Sequence, residues 1–171
     1  MTNPPDHIDP MIVENKIRSA FPRTPYATSD IQQPAQRREK ASFIGLDWWI
    51  VEFSEAKKQG YLAFDFTNQE AVYYCPLMLL TWLHDDRIAG LDDYFDRFFF
   101  PLDEGLGEGT TWNTDPESTR RYNSEIFAFR ELFDVRQKQA IACVFQFMAN
   151  QRHDGAMAAL RDYWGQYLGD C

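Results

Sequence analysis

The chain of 171 residues carries 26 acidic against 17 basic side chains, for a net charge of -9 and an isoelectric point near 4.7, with 44% hydrophobic and 16% aromatic residues and a mean hydropathy of -0.49. That length suits one domain burying roughly 70% of its unfolded surface, and the aromatic content excludes a disordered chain. The acidity disfavours nucleic acid and anionic membranes as direct partners, the longest apolar run, CPLMLLTWL, is well short of the roughly 20 residues that span a bilayer, and MTNPPDHIDP lacks the basic and apolar regions of a secretion signal.

Residues 1–8 read as a leader. After it, Val13, Ile17, Ala20 and Phe21 recur at helical spacing in IVENKIRSAF, with Asp9 as N-cap, Pro10 at the first helical position and Pro22 as the stop. PRTPYATSDIQQPAQ, with three prolines, is a loop, and AQRREKASFIG predicts a short basic surface helix ending near Gly45. LDWWIVEFSEAKKQG places Trp49, Phe53 and Ala56 at helical spacing between a cap at Asp47 and a stop at Gly60, which favours helix. YLAFDF alternates as a brief strand does.

Thr67 to Glu70 matches a capping box, so a helix starts there. Pro76 either kinks that helix or opens a second one that turns Leu79, Leu80 and Leu83 inward. LDDYFDRFFFPL starts a helix at Asp92 or runs as an aromatic strand, so a short β element falls near residues 61–66 or 94–100. Residues 101–118 are a long Gly-rich loop.

Asp134 and Gln137 repeat the capping-box pattern and put Ile141, Val144, Phe145 and Met148 on one stripe. HDGAMAALRDYWGQYL follows, with Asp154 as N-cap and Met157, Leu160, Trp164 and Leu168 facing inward. A short turn makes these two helices an antiparallel pair. The fold expected is a mainly α single domain in which this pair packs on residues 67–83.

The chemistry-bearing motifs are few: GxGxxG, the P-loop, GxSxG, HExxH and CxxC are all missing from the sequence. A thiolate nucleophile needs a cation or helix N-terminus to depress its pKa and a base to take its proton. Cys75 and His84 would be half a turn out of phase and about 13 Å apart on one continuous helix, so Cys75 reads as a buried thiol. Cys75, Cys143 and Cys171 form an odd, widely spaced set, as reduced thiols of a cytoplasmic protein do. The HDD at His84 supplies too few ligands on one side for a metal, and Asp85/Asp86 and Asp92/Asp93 read as solvated caps. Tyr94, Phe95, Phe98, Phe99 and Phe100, with no interleaved cation beyond Arg97, lack the electrostatic half of a nucleic-acid platform and read as core or protein interface.

Charge is concentrated in one place. Residues 85–108 hold Asp85, Asp86, Asp92, Asp93, Asp96, Asp103, Glu104 and Glu108 against Arg87 and Arg97, a net of -6, whereas residues 1–84 sum to -2 and 109–171 to -1. Arg120, Arg121 and Arg130 cluster in TRRYNSEIFAFRELF and are the cations available to answer this segment within the molecule.

IRSAFPRTPYATSDI, FTNQEAVYYCPLMLLTWL, FDVRQKQAIACVFQFMANQ and ALRDYW, in that order, resemble a family of small uncharacterised bacterial proteins, a domain of unknown function. Its pattern has an AFxxxPYP-like opening, a central TxEAxxYYLP element and a closing TxxQxxAVxxFL helix. This chain departs from it at Ala27, where proline is usual, and at Cys75, where leucine is usual. The resemblance implies a bacterial cytosolic protein and a packing role for position 75, and brings no activity with it.

The function expected is that of a non-catalytic, acidic cytoplasmic binding protein of immunity or antitoxin type, neutralising a basic effector protein. The eight acids of residues 85–108 are its expected partner surface, with no cofactor, metal, nucleic acid or membrane involved. The alternative is an enzyme using a carboxylate or Cys75 in a pocket that no motif reveals.

Overall fold

The computed structural model describes residues 8–26, 41–59, 66–84, 98, 128–169 and 171. Among them are the α-helices α1 (Pro10–Ala20), α2 (Phe53–Lys58), α3 (Asn68–Tyr73), α4 (Cys75–His84), α5 (Val135–Asn150) and α6 (Asp154–Asp162), then a 3-10 turn (Trp164–Tyr167), and residues 98 and 128–130 are also helical. No strand occurs among the described residues, and the fold is mainly α. Phe66 and Phe98, the described members of the two stretches where a β element was expected, are not in strands. The rest of those stretches, and the loop expected at 101–118, lie outside the described residues.

α1 is built as its sequence dictates. The Asp9 carboxylate accepts the Met11 amide at 2.9 Å, Pro10 occupies the first turn, and Val13, Ile17 and Ala20 form its buried stripe. The Phe21 amide still bonds the Ile17 carbonyl, and Pro22, with no N–H to donate, ends the run.

Residues 41–51 shorten two expected helices: of the first, residues 35–40 lie outside the described residues and 41–45 are not helical, and the second is present only as α2. Residues 41–46 form successive turns closed by Ile44 N–H to Ala41 O and Leu46 N–H to Phe43 O, and Ala41 and Phe43 are buried rather than on the surface. Gly45 has φ +99°, a conformation that no helix contains and that L side chains rarely adopt. Asp47 caps no helix, because its Oδ1 accepts the Tyr26 amide at 2.8 Å and lies 3.4 Å from the Tyr73 hydroxyl. Residues 48–51 make a further turn with Trp48 buried and Trp49 half-buried, so α2 starts only at Phe53, behind Glu52.

The capping box at α3 is present: Thr67 Oγ1 accepts the Glu70 amide at 3.2 Å, and Glu70 Oε2 accepts the Thr67 amide at 2.7 Å. Of the two roles open to Pro76, the structure shows the second. The helix breaks at Tyr74 and Pro76 lies in the first turn of α4, where a missing N–H costs nothing. Every residue of α4 from 75 to 82 is buried, as expected of a helix that is apolar all round and stands in the middle of the core.

α5 has its capping box too, with Gln137 N–H to Asp134 Oδ1 at 2.9 Å and Asp134 N–H to Gln137 Oε1 at 3.0 Å. It ends in a Schellman motif, with His153 N–H bonding Met148 O and Arg152 N–H bonding Ala149 O. Arg152 is the left-handed residue, at φ 66°. A side chain there strains a position that favours glycine, so Arg152→Gly is expected to raise stability by about 1 kcal/mol, read as a higher denaturant midpoint at unchanged m-value. A lower midpoint would mean that the arginine's own contacts outweigh the backbone strain.

α6 is capped by His153, whose Nδ1 accepts the Ala156 amide at 3.3 Å, and not by Asp154. Its inner face also differs from expectation. Ala156, Ala159 and Trp164 are buried, Leu160 is half-buried, and Met157 and Leu168 are 44% and 38% exposed. Alanine lets α6 lie close on α5, so the longer side chains are left at the rim. Close approach recurs at Gly165, where an added Cβ would come within 2.5 Å of the Leu160 carbonyl oxygen.

The expected docking of α5 and α6 on α4 is partly direct, through the Trp82 ring against Phe147 and His153, each at 6.3 Å. α1 packs on both α4 and α5 and bridges them.

Candidate functional site

Phe98 falls inside the acidic stretch of residues 85–108, with Asp85, Asp86, Asp92, Asp93 and Asp96 before it and Asp103, Glu104 and Glu108 after it. It is fully buried in the helical body. Its ring meets Phe129 at 5.2 Å, Trp164 at 5.8 Å, and Phe133 and Phe145 at 5.9 Å. Two donors hold its carbonyl oxygen, Arg130 Nη2 at 2.7 Å and Trp164 Nε1 at 2.9 Å. Both lone pairs of a buried carbonyl are thereby used, one by a charge-assisted bond.

Arg130 is itself buried, with its guanidinium 4.7 Å from the Tyr163 ring centre. Burial pushes its pKa down to about 10, against the opposing pull of Tyr163 and Asp162. Lys138, buried along its stem, reaches Glu131 at 3.0 Å and stands over the Tyr167 ring at 5.3 Å. Glu131 also accepts the Tyr163 hydroxyl at 2.8 Å. The hydrogen bonds from Lys138 and then Tyr163 hold its carboxyl below the usual range. Cations and aromatic rings thus alternate along the strip that carries the Phe98 clamp.

The eight acids themselves lie outside the described residues, as do Arg120 and Arg121. Arg130 does meet the acidic segment, but at a backbone carbonyl in the core. The clamp was missed in the sequence because arginine is almost never fully buried. The available signal was its setting, an arginine among Phe127, Phe129, Leu132 and Phe133.

Cys75 and His84 form no dyad. Cys75 is fully buried at the first residue of α4, and His84 is exposed at its last. The His84 ring stacks on Phe53 at 4.8 Å, and its Nε2 lies 3.1 Å from Glu14. An open hollow beside Arg18, Trp49, Ile50 and Glu52 is not lined by Cys75. Among the described residues no group of three or more His, Cys, Asp or Glu could hold a metal.

The reduced-thiol expectation is corrected for two of the three cysteines. Cys143 and Cys171 form a disulfide with Cα atoms 5.8 Å apart, within the range such a bond requires. Spacing along the chain concealed it, because α6 and the 3-10 turn bring the chain back against the middle of α5. The inference from thiols to a reducing cytoplasm falls with it. No helix among the described residues is long and apolar enough to cross a membrane. Comparison of the chain with protein-family models, with curated proteins and with solved structures finds no match.

Proposed function

We propose that this is a non-catalytic binding protein whose residues 85–108 engage a basic protein, in the manner of an immunity or antitoxin-type protein that blocks a basic effector. The observation that carries the reading is the Phe98 anchor, which ties a stretch of net charge -6 to the core at its described residue, Phe98, with acids before and after it in the sequence. A second observation supports it. The described residues hold ten Asp or Glu and ten Lys or Arg, so the helical body is neutral and the whole charge of -9 belongs to the rest of the chain. A neutral scaffold with localised acidity steers a cationic partner to one place. The enzyme alternative gains nothing from Cys75, which is buried and remote from His84.

The test replaces Asp92, Asp93 and Asp96 together with Asn. The partner is identified by cross-linking and capture with the unaltered chain, and association is then followed for both proteins across a salt series. The triple variant should associate about tenfold more slowly or worse, with a flatter dependence on ionic strength and an unchanged fold. Equal affinity and equal salt slope would leave the acidic stretch as solvated surface.

A further inference from the structure

We propose that the Cys143–Cys171 disulfide is a redox latch on the Phe98 anchor, holding the Trp164 turn in place when oxidised and releasing it when reduced. Both ends of the bond are close in sequence to the clamp. Cys143 is fully buried in α5, two residues before Phe145, whose ring packs on Phe98 at 5.9 Å and on Trp164 at 5.6 Å. Cys171, half-buried, lies seven residues beyond Trp164, the donor to the Phe98 carbonyl. The intervening turn is held upstream by α6, through Tyr163 N–H to Ala159 O at 3.0 Å. Downstream, Leu168 is 38% exposed, Gly169 is exposed, and an added Cβ on Gly169 would meet nothing within 4 Å. The disulfide is the covalent downstream restraint on the segment that carries Trp164, added to the packing of Tyr167 under Lys138 and beside Tyr163.

Accessibility orders the chemistry. With a low-molecular-weight disulfide as oxidant, the Cys171 thiolate attacks one of its sulfurs and expels one small thiolate, leaving a mixed disulfide on Cys171. The buried Cys143 thiolate then attacks Cys171 Sγ and expels the second. Two electrons pass from the protein dithiol to the oxidant, and the two protons end on the released small thiols. A reducing dithiol reverses both steps. Cys75 takes no part, being buried at the start of α4.

The latch is a property of the folded chain, while its bearing on partner binding rests on the reading of residues 85–108 given above. The test uses the intact chain equilibrated with glutathione disulfide, the same chain reduced with excess dithiol, and Cys171→Ser. Thiols are counted after denaturation, and amide exchange is followed by mass spectrometry. The oxidised chain should show one thiol and the reduced chain three. Exchange at residues 163–169 and at Phe98 should be about tenfold faster or more in the reduced chain and in Cys171→Ser, with α1 and α4 unchanged. Three thiols in the oxidised chain, equal exchange in both redox states, or exchange that rises equally in α1 and α4 would each overturn the latch. The last of these would make the bond a staple of the whole fold. None of these readouts involves the acidic partner, so loss of the binding reading leaves the latch standing, and the reverse.

Discussion

Replacing Trp164 with alanine is expected to lower the unfolding free energy by about 3–5 kcal/mol, the range for deleting a large aromatic side chain from a packed core. Trp164 has no exposed surface. Its ring meets Tyr163 at 5.0 Å, Phe145 at 5.6 Å and Phe98 at 5.8 Å, so truncation leaves a cavity bounded by three rings on different segments. Trp164→Phe separates packing from hydrogen bonding. It keeps most of the ring, removes Nε1 as a donor, and leaves Arg130 alone on the Phe98 carbonyl, for an expected cost of about 1 kcal/mol. Denaturant midpoints at constant m-value measure both changes. If Trp164→Ala cost no more than Trp164→Phe, the ring would not be what anchors Phe98.

The sequence was most readable where one local signal sufficed. Asp9, Thr67 and Asp134 each announce a helix start by a side chain that reaches an amide two or three residues on, and all three caps are present. It misled where a side chain had a distant use. Asp47 has the form of a cap, but its carboxylate accepts the Tyr26 amide, and a contact 21 residues away leaves no local trace. On α6, helical spacing favoured Met157 and Leu168, whereas close packing selected Ala156 and Ala159. Hydrophobicity scales rank side chains by transfer from water and carry no information on how near two helix axes come.

The site was legible only as charge. A net of -6 in residues 85–108 is plain from composition, but nothing local to FDRFFF shows that Phe98 packs at full burial against Phe129, Phe145 and Trp164. Its partners, Phe129, Arg130, Phe145 and Trp164, come from three later segments. The Cys143–Cys171 bond was hidden for the same reason, since it exists only once α6 has folded back on α5.

Stability is expected to fall as the pH is raised from about 10 to about 12, because three tyrosines keep their protons in the fold past the point at which the unfolded chain releases them. Tyr74 has the largest share. Its hydroxyl is buried, accepts Gly45 N–H at 2.9 Å and lies 3.1 and 3.0 Å from the carbonyl oxygens of Phe43 and Leu46. Burial raises its pKa well above the ordinary value of 10, against the opposing effect of the Gly45 bond. Tyr73 is pushed up to about 12, first by burial and then by Asp47, against a backbone hydrogen bond. Tyr163 is raised by burial, then by its bonds to Tyr167 and Glu131. In this window the folded state binds more protons than the unfolded state, so the unfolding free energy decreases with pH. Arg130 acts in the opposite sense, since its folded pKa of about 10 lies below the ordinary arginine value and the unfolded chain there holds the extra proton. A fully shielded group contributes about 1.4 kcal/mol per pH unit. Tyr73 and Tyr163 are half-buried and are discounted for solvent screening, and Arg130 cancels one share, which leaves a net loss on the order of 1 kcal/mol per unit. Tyr74→Phe provides the control. It lowers stability near neutral pH by leaving the Gly45 amide without its acceptor, about 1–3 kcal/mol, and it removes one titration, so its decline above pH 10 should be shallower than that of the unaltered chain. A flat or rising stability between pH 10 and 12, or parallel declines in the two proteins, would show that the Tyr74 proton is not what the fold protects.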